Sequence, residues 1–163
     1  MAPINESALS ALRSGLSSQA SISLPGDATY TTKRWARNAE KSAGIVVCPA
    51  TPEDVVQILK FVQGKGAYSA QGKLDFAVKS GGHSPSGASS SEGGLVIDLQ
   101  PNMHGVRVDP DAKLAYVKGG SIWKEVDEAA FEYGLAAVAG TVNHTGVGGL
   151  VYHFIDVVVT DRE

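Results

Sequence analysis

A chain of 163 residues, 43% of them hydrophobic, suffices for one domain with a real core. With 14 Lys and Arg against 17 Asp and Glu and a formal net charge of -3, it lacks the basic footprint of a nucleic-acid binder. The lone cysteine, Cys48, excludes an internal disulfide, and with no signal-peptide core and no apolar run near the ~20 residues of a membrane span, a soluble intracellular chain is expected.

Residues 5–18 place Leu9, Leu12 and Leu16 on one side behind Asn5 as a candidate N-cap, which predicts a short helix in an N-terminal extension, residues 1–27. The following stretch, ISLPGDATYTTKRWARNAEKSAG, has turn chemistry at Pro25 and Gly26 and no period. GIVVCPATPEDVVQILKFVQGKG predicts a buried strand over 45–48 and a turn at Pro49. A helix follows, with Thr51 as N-cap, Pro52 at its first position and Glu53 and Asp54 in its first turn. Val55, Ile58, Leu59 and Val62 recur at helical spacing until Gly64 and Gly66 stop the pattern.

LDFAVKS (74–80) and LVIDL (95–99) predict two more strands, and GVRVD (105–109) with KLAYVKG (113–119) predicts a hairpin turning at Asp109, Pro110 and Asp111. Ser121 is placed as the cap of a helix through SIWKEVDEAAFEYG, with Trp123, Val126, Ala130 and Phe131 inward and Gly134 as its stop. LAAVAGT and FIDVVVT predict the last strands. This order predicts an α+β domain of two small α/β lobes rather than a doubly wound parallel sheet.

The 19 glycines exceed the roughly 11 that average usage predicts for this length. They gather in pairs at Gly81 and Gly82, Gly93 and Gly94, Gly119 and Gly120, and Gly148 and Gly149, several of them where an apolar run ends. Such loops let a backbone approach a ligand and form an anion nest without a lysine, which suits a pyrophosphate. Neither GxxxxGK[ST] nor GxGxxG is present, since Val151 stands where the third glycine of TGVGGLV would be. No HExxH, GxSxG or CxxC occurs, so zinc hydrolysis, serine hydrolysis and dithiol chemistry lack a basis.

His104 is expected to face solvent, and His153 has no assigned place. His144, in GTVNHTG, is read as a loop histidine bonded to backbone, the alternative being a place in the same cleft as His83. Asp98 and Asp127 read as a strand-end and a helix-surface carboxylate. His83, in VKSGGHSPSG, differs in kind. A neutral imidazole has one ring nitrogen free to attack an electrophile, and a cofactor can be that electrophile.

The segments VVCPATPEDVVQILKFV, FAVKSGGHSPSGASSSEGGLVIDL and GVRVDPDAKLAYVKGGSIWKEVDEAAFEYGLAAVAGTVNHTGVGGL resemble, in order and spacing, the FAD-binding PCMH-type domain of the vanillyl-alcohol oxidase superfamily. The resemblance is nearest to its berberine bridge enzyme-like FAD-linked oxidoreductases. It implies FAD as cofactor, with Lys79, Ser80, Gly81, Gly82, His83 and Ser84 around the pyrophosphate. It also implies that Gly140, Thr141, Gly146, Gly148 and Gly149, with Thr145 and Val147 among them, form the second wall. It further implies a covalent bond from His83 to the flavin 8α-methyl carbon, and oxidation of a small-molecule alcohol or amine with oxygen as electron acceptor.

Two departures qualify the resemblance. Many relatives carry a cysteine directly after the Gly-Thr pair for a second flavin bond, whereas Val142 stands here, so at most one link is expected. After Leu150 the family continues with a second glycine-rich run, whereas VYHFIDVVVTDRE follows here. The expectation is an FAD-binding domain over residues 28–163 that is altered after 150 and incomplete at its C-terminal side. The substrate domain and catalytic base are then absent, and a substrate is bound only if that domain is supplied.

Overall fold

The computed structural model describes residues 4–151 and 159–161. Helix α1 (Glu6–Gly15) starts on Asn5, whose side chain accepts the Ala8 N–H at 3.0 Å, and leads into the short strand β1 (Ser21–Ser23). Strand β2 (Ile45–Cys48) precedes α2 (Pro52–Val62), which begins with reciprocal caps: Thr51 Oγ1 accepts the Asp54 N–H at 3.1 Å and the Asp54 carboxylate accepts the Thr51 N–H at 3.0 Å. Burial opposes ionisation of Asp54, but further hydrogen bonds from Ser17 and Ala50 outweigh it and hold its pKa below the ordinary carboxylate value.

Strands β3 (Phe76–Lys79) and β4 (Leu95–Asp98) complete a four-stranded sheet of order β1-β2-β4-β3. β1 runs antiparallel to β2, whereas β2 and β3 both run parallel to β4, with Ile45 and Phe76 each opposite Leu95. The two central strands are buried on both faces, as their unbroken apolar sequences require. One face takes Leu9 and Leu12 of α1 and Ile58, Phe61 and Val62 of α2; the other takes Ala43 and the half-buried Tyr30. The first 27 residues therefore give α1 and β1 to this same core. Leu59 lies half-buried at its margin and Val55 is half-buried, while Phe61, outside the spacing read from sequence, is fully buried.

The second lobe begins with the antiparallel hairpin of β5 (Val106–Asp109) and β6 (Leu114–Val117), in which Val106 faces Val117. Helix α3 (Trp123–Phe131) packs on it through Trp123, Val126 and Ala130, and Gly134 ends the turn beyond it at φ 71. Two expectations need correction. Ser121 is not the cap: Ile122 is, with its N–H bonded to Glu125 Oε2 at 2.8 Å, and Ser121 Oγ instead accepts the Gly105 N–H at 2.8 Å, pinning the hairpin. Phe131 is 63% exposed, because one residue beyond the buried Ala130 turns about 100° around the helix.

Strand β7 (Leu135–Ala137) pairs antiparallel with β8 (Val159–Asp161). Only the end of the predicted FIDVVVT strand falls within β8; residues 154–158 lie outside the described residues. TGVGGL is not all loop, since Val147–Val151 forms the short helix α4. Among the described residues no helix is long and apolar enough to cross a membrane, and no group of three or more His, Cys, Asp or Glu could hold a metal ion.

Candidate functional site

Because β2, β3 and β4 are mutually parallel, their carboxyl ends open on one edge, the side of such sheets where ligands bind. Three of the four glycine pairs meet there. A methyl group on Gly120 would run into the carbonyl of Leu99, one on Gly148 into the carbonyl of Gly119, and one on Gly81 into the backbone of Gly146. The fourth pair, Gly93 and Gly94, sits at the opposite edge, where the Gly94 carbonyl accepts the Gly44 N–H at 2.8 Å.

The loop after β3 and the loop before α4 touch main chain to main chain. A Cβ on Gly146 would meet the Gly81 nitrogen and the Ser80 hydroxyl, so both positions demand glycine for closeness to each other. The second loop is anchored on the start of α3: the Trp123 N–H bonds the Thr145 carbonyl at 3.0 Å, the Lys124 N–H bonds the Asn143 carbonyl at 2.7 Å, and the Val147 N–H bonds the Ser121 carbonyl at 2.9 Å.

This contact delivers two histidines to each other. His83 Nε2 lies 2.6 Å from His144 Nδ1, and Thr145 Oγ1 stands 3.4 Å from His83 Nδ1. The indole of Trp35 stacks on the His83 ring at 5.2 Å between centroids and 15° between planes, while the Trp35 backbone N–H bonds the Gly82 carbonyl at 3.2 Å. Burial first, and the neighbouring His144 second, hold the His83 pKa below its ordinary value, favouring the neutral ring. The reading of His144 as bonded to backbone is thus corrected: its ring meets His83.

Beneath the loop two cations are tied down. Lys79 Nζ pairs with the buried Asp98 at 3.0 Å and also reaches the Ser80 carbonyl at 3.2 Å. The buried Arg34 donates from Nε to Ser89 Oγ at 3.1 Å and from its terminal nitrogens to the carbonyls of Ser89 and Lys33. The stems of both side chains run under Gly82, which is itself left-handed at φ 69. Ser84 bonds Ser86, hydroxyl to hydroxyl, at 2.9 Å.

Several donors at this edge are unspent. Ser80 Oγ is buried without a partner, and the N–H groups of Gly81, Gly82 and His83 have no acceptor among the described residues. A hydroxyl and successive backbone N–H groups with nothing to bond suit an anionic diphosphate. The remaining expected site residues are more open: Gly140 borders Leu150, Thr141 is exposed, and Gly148 and Gly149 are exposed on α4. No hydrogen bond joins these four to residues 79–84 among the described residues.

Elsewhere, His104 faces solvent and bonds Glu125 at 2.6 Å, Asp127 is exposed as expected, and His153 lies outside the described residues. Cys48 is half-buried and its thiol pKa is pushed up by burial, so it offers no reactive thiolate. Sequence reasoning missed Trp35 and Arg34. Their one signal is an aromatic set among cations, KRWAR, in a segment with no periodicity.

The family described as an FAD binding domain matches residues 43–154, well over half of the chain. The chain belongs to this family of FAD-binding domains. It is of the kind found in FAD-linked oxidoreductases, and FAD is its cofactor. Over 118 residues the domain is 41% identical to an FAD-linked oxidoreductase of Aspergillus terreus, covering 72% of this chain and 22% of that one. The crystal structure of 6-hydroxy-D-nicotine oxidase from Arthrobacter nicotinovorans superposes with a TM-score of 0.70 at 26% identity, covering 80% of this chain and 27% of that one. Xylooligosaccharide oxidase from Myceliophthora thermophila shares the fold at a TM-score of 0.69 and 22% identity, with coverages of 88% and 29%. The FAD-binding domain spans about a quarter of the length of these relatives.

Proposed function

We infer that the chain is the cofactor-holding part of an oxidase whose flavin is fixed by a single covalent bond from His83 to the 8α-methyl carbon. Lys79, Ser80, Gly81, Gly82 and Ser84 form the pyrophosphate loop around it, and Gly140, Thr141, Gly146, Gly148 and Gly149 form the opposite wall, within a domain running over residues 28–163 to whose core the N-terminal extension adds α1 and β1. The observation that carries this reading is the position of His83: an imidazole whose pKa is held below its ordinary value, at the carboxyl edge of the sheet, beside the unspent Ser80 hydroxyl and the N–H groups of Gly81, Gly82 and His83, which have no acceptor among the described residues. Val142 offers no thiol for a second bond.

When bound, the flavin supplies two-electron oxidation, and a histidyl link that draws electron density from the ring raises its potential. The substrate class is a small-molecule alcohol or amine and the electron acceptor is dioxygen. Two of the relatives above are oxidases named for hydroxynicotine and xylooligosaccharide, which supports that choice.

The test is acid precipitation of protein purified from flavin-replete cells. The wild-type pellet is expected to stay yellow and fluorescent under ultraviolet light, whereas His83→Ala should release all of its flavin to the supernatant. A colourless wild-type pellet would sink the covalent reading while leaving FAD binding in place.

A further inference from the structure

His144 lies in no sequence motif for flavin attachment, yet its ring nitrogen is the one bonded to His83 Nε2. At 2.6 Å the two nitrogens share one proton: one ring donates and the other accepts. Two tautomeric arrangements satisfy this contact. If His144 donates, the only lone pair of His83 is spent on Nε2. If His83 donates from Nε2, its lone pair is on Nδ1, whose one contact among the described residues is the longer 3.4 Å one with Thr145 Oγ1 and which is readily released to an electrophile. Only the second arrangement leaves His83 able to form a bond.

We propose that His144 is the positioning residue for flavin attachment: it holds His83 in the Nε2–H tautomer, frees Nδ1 for the link, and takes the Nε2 proton as the bond forms. The inference rests on the covalent reading above. The new bond joins Nδ1 of His83 to the 8α carbon. One proton leaves that methyl carbon and one leaves the imidazole through His144, while the flavin ring gains the electron pair. Dioxygen then takes up two electrons and two protons as hydrogen peroxide, restoring the oxidised flavin.

The surroundings support this role. Trp35 stacked on one face fixes the plane of the His83 ring, and the anchoring of residues 143 and 145 on the first turn of α3 fixes the position of His144. His144 faces His83 directly, and Lys79 and Arg34 lie under Gly82, with Asp98 spent on Lys79. Two protonated rings at this distance would set cations in contact, which disfavours the doubly charged pair.

The experiment follows attachment in flavin-free protein mixed with FAD in air, reading acid-stable flavin and the mass gain of one FAD against time. His144→Ala is expected to attach about 100-fold more slowly or worse, the usual contribution of a positioned base. Added imidazole should restore part of the rate. His144→Asn, which presents an amide oxygen to Nε2 but accepts no proton, should fall between the two. Flavin retained before acid treatment, together with far-ultraviolet circular dichroism, shows that each variant is folded. Attachment by folded His144→Ala at the wild-type rate with the wild-type pH profile overturns the role of His144 alone. Wild-type protein that never gains acid-stable flavin overturns the covalent reading and this role together.

Discussion

The state of one proton decides what His83 does. Folding holds the His83 pKa below the ordinary value near 6.5, through burial and the neighbouring His144, so the folded chain takes up its proton only at a lower pH than the unfolded chain does. Above about 6.5 both states are neutral and the contribution to stability is fully present. As the pH falls below that value the unfolded chain protonates first, and the contribution is lost as the pH passes through the folded pKa. Urea unfolding at pH 7 and pH 5 measures this. The His83→Ala variant should lose less stability across that interval than wild type, and equal losses would contradict the assigned shift. His83 was legible as a candidate through the set of glycine loops and the ordered family resemblance, not through its own few residues, which read equally as a turn with an incidental histidine. His144 was not, because the contact that gives it meaning spans 61 residues of chain and leaves no local trace.

Among the elements, those fixed by neighbouring residues were readable and those fixed by tertiary contact were misjudged. Thr51, Pro52 and Asp54 announce the start of α2 because each acts within one turn. Ser121 has the same cap chemistry but is drawn to Gly105, a partner 16 residues away, so the local rule gave the wrong role. The glycine loops show the same division. Their small size read as room for a ligand, and at Gly81 and Gly146 it serves the approach of two loops. A Gly146→Ala change puts a methyl group against main chain that has no rotamer to yield, an overpacking that costs about 2 kcal/mol. For a chain of this length that corresponds to a melting temperature lower by roughly 4–8 °C. The same change should part the two histidines, so flavin attachment should slow along with the thermal shift. A variant as stable as wild type would mean that the loops part easily.

At the level of the whole molecule the α+β order and the two lobes followed from the strand and helix pattern, while the sheet order β1-β2-β4-β3 did not, because pairing partners are chosen across the core. The lobes are unequal. The first buries Leu12, Ile45, Ile58, Phe61, Leu95 and Ile97 completely or nearly so, whereas the second rests on Trp123, Val126 and Ala130 beneath a hairpin whose Leu114 and Tyr116 are exposed. Amide exchange follows local burial and hydrogen bonding. Deuterium uptake read by mass spectrometry should therefore be slowest in β2 and β4 and at least tenfold faster in β5 and β6. Uniform protection across both lobes would contradict this division.

The contact between Gly81 and Gly146 closes the chain into a ring that encloses the hairpin and α3. Closing such a ring carries an entropy penalty that rises with the logarithm of its length, and two side-chain-free backbones do little to offset it. The compensation comes from elsewhere, chiefly from Trp123 and Val126 settling onto the hairpin. The pairing of the two histidines thus depends on the second lobe holding its place against the first. Competence to receive the cofactor is in this sense a checkpoint on complete folding.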